Sequence, residues 1–216
     1  MHMSGTFTQS TPRPGEFYLF GPEMESGRTT SGVAFDNLSR LLSSPRLVLR
    51  PELGGFPPLA EQPQLTVDFR LGNMPRDLEG GFSGYWLVSE RLKDVMLEAD
   101  PSAFEFVECD TRFADGTKAP RYYLCDVVRV LDALDEAGST LGIEVDEEFV
   151  NGKFYSLGGG ARLTFRTDAL AGVHVFMTPY SYFVVCDRLF MDAVHGTGVS
   201  DDPEESGISF IDASDV

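Results

Sequence analysis

Lysine and arginine are what this sequence runs short of. Only 17 of its 216 residues are basic, against 34 acids, and the formal net charge is −17. The shortage is local. Residues 1–72 carry seven acids and six bases, whereas residues 73–216 carry 27 acids and 11 bases. No base falls between Arg129 and Lys153, a stretch that holds Asp132, Asp135, Glu136, Glu144, Asp146, Glu147 and Glu148. None follows Arg188, after which come Asp192, Asp201, Asp202, Glu204, Glu205, Asp212 and Asp215. Such a field repels nucleic acid and anionic lipid and attracts basic protein surfaces. The basic–aromatic pattern of nucleic-acid binders is missing too, so neither nucleic acid nor membrane is an expected partner.

Long apolar runs are also absent, and nothing approaches the roughly 18 residues that span a bilayer. The N-terminus lacks a basic region followed by an apolar one, which argues against a signal peptide and for a cytoplasmic location. Cysteine is scarce: Cys109, Cys125 and Cys186 are odd in number and have no short paired spacing. That pattern predicts reduced, buried thiols instead of a disulfide framework. Histidine is scarcer in effect, with His174 and His195 the two outside the extreme N-terminus. No His-Glu-x-x-His, Cys-x-x-Cys or Gly-x-Ser-x-Gly occurs. Gly158-Gly159-Gly160 is followed by no Lys-Ser/Thr pair and by a strand-like segment, so it reads as a turn and not as a phosphate cradle. Asp146-Glu147-Glu148 and the acids of residues 201–205 offer oxygen ligands without the spaced loop that calcium requires. No metal, cofactor or catalytic residue is expected. One enzymatic alternative stays open, a nucleophile built from Cys125 or Cys186 with His174; the Asp that follows each cysteine opposes thiolate formation.

What the chain does have is core material: 42% hydrophobic residues, including 17 Phe and 7 Tyr. This excludes global disorder and suits one medium domain with a smaller subdomain. Residues 1–15 read as a mobile arm, 16–80 as an N-terminal subdomain rich in Pro/Gly loops, and 81–216 as an acidic α+β domain. In the first part, strands are expected at residues 16–20, 47–49 and 65–71, a short helix within 33–42, and a loop over 72–84. The second part shows three times an aromatic–apolar run, a capping residue and an amphipathic helix. These are Tyr85-Trp86-Leu87-Val88 with Ser89 and a helix to Ala99; Tyr122-Tyr123-Leu124-Cys125 with Asp126 and a helix to Ala137; and residues 182–186 with Asp187 and a helix to His195. Ser89, Asp126 and Asp187 can each accept from an orphaned N–H of the first helical turn. Further strands are expected at residues 104–110, 141–145, 153–157, 162–166, 173–177 and 208–211. The expected fold is α+β, a mixed or antiparallel sheet flanked by three or four amphipathic helices.

An ordered set of these residues carries a resemblance. Gly84-Tyr85-Trp86-Leu87-Val88-Ser89-Glu90-Arg91-Leu92-Lys93, Arg121-Tyr122-Tyr123-Leu124-Cys125-Asp126-Val127-Val128, Val185-Cys186-Asp187 and Ile208-Ser209-Phe210-Ile211-Asp212 resemble a bacterial immunity-protein family of polymorphic toxin systems, formerly catalogued as a domain of unknown function. The resemblance covers residues 82–216, with Phe17-Tyr18-Leu19-Phe20 as a looser match. It implies a non-enzymatic antitoxin that binds and blocks a cognate toxin, commonly a nuclease and often encoded beside it. A nuclease grips phosphates with basic groups, so an acidic inhibitor suits it. The expected toxin-binding residues are therefore Asp146, Glu147, Glu148, Asp201, Asp202, Glu204 and Glu205, with Phe149, Tyr180 and Tyr182 as aromatic anchors. An acidic adaptor without a toxin is the remaining alternative. Oligomeric state is not legible.

Overall fold

The computed structural model describes residues 11–23, 31–44 and 47–216. Among these the chain forms thirteen strands and three α-helices. In order they are β1 (Phe17–Pro22), β2 (Val33–Phe35), β3 (Gln64–Val67), β4 (Leu78–Phe82), β5 (Tyr85–Ser89), α1 (Glu90–Ala99), β6 (Phe104–Glu108), β7 (Asp110–Phe113) and β8 (Tyr122–Val127). There follow β9 (Gly142–Val145), β10 (Lys153–Ser156), β11 (Val175–Met177), β12 (Val184–Asp187), α2 (Arg188–His195), α3 (Pro203–Ser206) and β13 (Ile208–Asp212). The expected α+β fold is thereby corrected. The protein is mostly β, with four sheets ordered β11-β12-β1-β13, β4-β5-β8-β6, β2-β3-β7 and β9-β10. Among the helices of the described residues only α1 and α2 exceed one turn. No helix among the described residues is long and apolar enough to cross a membrane.

The unbroken apolar runs explain the layering. A strand that alternates apolar and polar buries one face, whereas a continuous apolar run buries both. In β5 and β8, Tyr85, Leu87, Tyr122 and Leu124 enter a core shared with Leu41, Leu49 and Leu65. Their neighbours Val88, Cys125 and Val127 point the other way, into a core with Leu92 and Met96 of α1 and Phe190 and Val194 of α2. Tyr18 and Phe20 of β1 reach the same core, so the two helices lie between the two four-stranded sheets. The far face of β1 and β12 packs Phe17, Leu19 and Val185 against Leu134, Leu163, Phe165 and Phe176.

Two of the three expected strand–cap–helix units form. The Ser89 side chain accepts from Leu92 N at 3.3 Å, and Asp187 Oδ1 accepts from Phe190 N at 2.9 Å. The third does not. Asp126 lies inside β8, and its carboxylate accepts from Arg50 Nε at 2.7 Å and Gly55 N at 2.5 Å. With its oxygens taken by partners more than 70 residues earlier, Asp126 has none for a helical turn. The chain beyond stays extended: Leu131 N donates to Met177 O, Asp135 N to Thr164 O, and Arg166 N to Ala133 O. Ala133 and Leu134 are buried there. Tertiary pairing overrides the helical spacing of Val127, Val130, Leu131 and Leu134.

Other expectations shift as well. The strand at 65–71 stops at Val67, because Asp68 accepts from the N–H of Arg70 and Leu71 and turns the chain; Phe69 and Leu71 stay exposed. Residues 47–49 are bent, with Leu49 N donating to Ser83 Oγ at 2.7 Å. The helix expected within 33–42 is β2 followed by a 3-10 turn at Leu38–Arg40. The expected loop at 72–84 contains β4, and residues 162–166 make only isolated bridges, to Thr140 and Leu134. Most of the expected arm, residues 1–10, lies outside the described residues.

Two buried ion pairs join distant segments. Arg50 and Asp126 are 13% and 6% exposed. Asp100 caps the C-terminus of α1 and receives Arg129 on both oxygens, together with the N–H groups of His174 (2.9 Å) and Val175 (3.1 Å). Burial pushes the Asp100 pKa up, but these donors outweigh it and hold the carboxyl below its ordinary value.

Removing one partner of a buried pair strands the other charge. Asp126→Ala should therefore cost about 3–5 kcal/mol in urea unfolding, against about 1 kcal/mol for loss of the true cap in Ser89→Ala. Folding lowers the Asp100 pKa, so its contribution is full above the unfolded value and lost as pH falls through the folded one. Melting temperatures measured from neutral into strongly acid solution should show a flatter acid limb for Asp100→Asn than for wild type.

Candidate functional site

A groove of about 600 Å³ lies beside the β9–β10 hairpin. Three segments line it: residues 177–182, from the last residue of β11 onward; Glu148, Phe149, Val150 and Asn151 of the hairpin loop with Lys153 and Phe154; and Arg50, Glu52 and Leu53, joined by Val130. The hairpin loop is tight because Asp146 Oδ1 accepts from Glu148 N and Phe149 O accepts from Gly152 N, each at 2.9 Å. Gly152 completes it at φ 75°, a conformation glycine adopts without a Cβ penalty. Asn151 Nδ2 donates to Pro179 O at 2.6 Å and Tyr155 N to Tyr180 O at 2.9 Å, which pins the hairpin to the second segment.

The groove is open and apolar at its rim: Leu53 is 91% and Tyr182 74% exposed, with Val150 also exposed. Phe149 and Phe154 form a tilted pair 5.8 Å apart. Its lysine is already engaged. Lys153 Nζ sits 3.9 Å from the Tyr180 ring centroid and pairs with Glu136. Burial lowers the Lys153 pKa, but the Glu136 contact outweighs it and the net shift is upward, so the ammonium is a fixed, neutralised cation. Tyr155 OH donates to the same Glu136 carboxylate at 2.6 Å. By contrast Asp146, Glu147 and Glu148 are exposed and enter no ion pair among the described residues. The site presents an aromatic surface beside an uncompensated triple carboxylate.

Of the residues expected to contact a partner, Glu148, Phe149, Tyr180 and Tyr182 line this groove, and Asp146 and Glu147 lie on the same hairpin loop. Tyr180 is half-buried, with Lys153 over its ring and Tyr155 meeting it edge to face. Asp201, Asp202, Glu204 and Glu205 cluster instead around α3. Asp202 caps that helix by accepting from Glu204 N at 2.9 Å, and Glu205 accepts from Ser200 Oγ at 2.9 Å. Asp201 lies 3.9 Å from His195 Nδ1. Glu205 borders a different cavity, of about 660 Å³, with Arg76, Arg91 and Arg121. The two acid groups thus sit on separate elements beside separate cavities. Arg50, Glu52, Leu53 and Lys153 were not anticipated at the groove. Lys153 carried a signal, as the first base after the long acidic stretch; the other three come from a loop distant in sequence.

Compared with known families, the sequence matches an immunity protein family, Imm11, over residues 16–215. This chain belongs to that family. A search of curated proteins found no match. The Imm11 match takes in β1 to β4 as well as the later segment that carried the resemblance, and membership makes the chain an immunity protein to a toxin.

The cysteines of this Imm11 protein do not suit a nucleophile. All three are buried and free. Burial, with help from the adjacent carboxylates of Asp126 and Asp187, pushes the Cys125 and Cys186 thiols well up, and burial brings Cys109 to about 12. His174 Nδ1 is bonded to Asp187 Oδ2 at 2.8 Å. A thiolate-selective reagent should accordingly label the native protein orders of magnitude more slowly than the urea-unfolded chain; a fast-reacting native thiol would restore the nucleophile reading.

Proposed function

We propose that this immunity protein neutralises a basic, nuclease-type toxin in the cytoplasm by one-to-one binding through the groove and its hairpin loop. The observation that carries the reading is the placement of Asp146, Glu147 and Glu148, unpaired and exposed, beside the apolar rim of Leu53, Val150 and Tyr182. Exposed carboxylates steer a cationic partner and raise the association rate, while aromatic and aliphatic anchors that lose water on docking slow dissociation. A surface built to hold phosphates is cationic, so a carboxylate triad fits it and competes with its substrate. The acids around α3 contribute less, because Asp202 serves as a helix cap and Glu205 is bonded locally.

The test uses the cognate toxin domain, with association and dissociation rates measured over a salt series. Reversing Asp146, Glu147 and Glu148 to Lys together should lower the association rate at least about tenfold at low salt and reduce its salt dependence. Tyr182→Ala should act on dissociation, weakening the complex by about 2 kcal/mol, roughly thirtyfold in Kd. Asp201→Lys should leave both rates within about threefold of wild type. Unchanged rates in the triple reversal and in Tyr182→Ala would place the contact face elsewhere.

A further inference from the structure

Among the strands of the described residues, β9 alone is exposed at every position. Its pairing with β10 determines which of its peptide groups are used. Asp146 N donates to Gly152 O, and Tyr155 N donates away from β9, to Tyr180 O. Ile143 stands opposite Tyr155 and Val145 opposite Lys153. Antiparallel partners alternate between pairs that exchange hydrogen bonds and pairs that do not. The peptide groups of Gly142 and Glu144 therefore face β10, and those of Ile143 and Val145 face outward. On that outer side no strand or loop pairs with them among the described residues.

Several other outer strands are covered. Residues 129–131 bond along β11, Tyr180 bonds to β10, and residues 117–119 bond to β7. β9 has no such cover, although Ile143 and Val145 are 40% and 78% exposed. An open edge with apolar side chains is a template for another strand. Between these two residues stands Glu144, whose side chain points to the opposite face. A residue added directly across from Glu144 is stabilised when basic and destabilised when acidic.

We infer that β9 is a docking edge for an extended segment of the toxin, which adds to the β9–β10 hairpin as a third strand. That segment carries Lys or Arg across from Glu144 and apolar residues across from Ile143 and Val145. The inference rests on the toxin-binding reading of the neighbouring loop and adds a mode of contact to it: main-chain hydrogen bonds supply affinity and alternate side chains supply selectivity. The same charge disfavours a second copy of this chain, since an antiparallel β9–β9 pairing centred on Glu144 would set two carboxylates against each other.

Amide hydrogen exchange read by NMR, with and without the cognate toxin domain, tests this directly. In the free protein the Ile143 and Val145 amides should exchange faster than that of Glu144; in the complex they should slow at least about a hundredfold. Val145→Pro removes one outward donor and should weaken binding about tenfold at unchanged melting temperature. Glu144→Lys should weaken it through slower association. A complex that forms while both amides exchange at their free rates overturns the strand addition and leaves the carboxylate-lined groove as the contact. Absence of any complex overturns both. Protection that grows with protein concentration in the absence of toxin would assign the edge to a second copy and overturn the basic-strand assignment.

Discussion

The rest of the structure depends on the position of β1 between the chain's last two strands. Tyr18 to Phe20 pair with Val184 to Cys186 on one side and with Phe210 to Asp212 on the other. Gly15 N donates to Asp212 Oδ2 at 2.7 Å and Arg188 N to Glu16 O before the strand, and Glu23 N donates to Gly207 O after it, so both flanks are tied down. Sheet order then propagates outward: β12 positions β11, and the turn after β11 supplies the second lining segment of the groove. A strand bonded on both edges and packed on both faces has its backbone groups satisfied by its neighbours. Closing a sheet across most of the chain length is entropically demanding, and the dense aromatic packing of Phe20 with Trp86, Phe190 and Phe210 opposes that demand. That the Imm11 match begins at residue 16 agrees with a fold that needs β1.

The acids divide by what surrounds them. Asp77, Asp100 and Asp126 are buried and face Arg91, Arg129 and Arg50. Asp187 and Asp202 cap helices. These carboxylates hold the fold and have little capacity left for a partner. Asp146, Glu147 and Glu148 occupy a solvent-facing hairpin loop and keep their charge unbalanced. Net charge therefore measures neither stability nor affinity; the distribution of neutralising arginines decides which acids project a field. The most exposed strand among the described residues precedes that loop, so steering charge, apolar anchors and an open sheet edge sit on one short segment.

Local signals sufficed where a segment's own side chains satisfy its own backbone. Ser89 and Asp187 precede helices because their oxygens meet amides three residues on. The run Tyr122 to Val127 was legible as apolar, yet Asp126 looked like a third cap by the same rule. What distinguishes it is Arg50 and Gly55, more than 70 residues earlier, and nothing near Asp126 announces them. The helical spacing that follows was overridden in the same way, by pairing with residues 162–166 and 177. The result is a mostly β protein with two sizeable helices where three or four were expected.

By itself the sequence determined the sign of the surface, the buried thiols, the two capped helices and the family to which the chain belongs. The first three are set by composition or by residues within one turn of each other, and the family by an ordered set of such local motifs along the chain. Tertiary structure alone decided that Glu148, Phe149, Tyr180 and Tyr182 share a groove with Leu53, that the acids around α3 lie apart from it, and that β9 has no outer neighbour among the described residues. Those outcomes depend on which distant segments satisfy a given hydrogen-bonding group, and short-range patterns do not encode that choice.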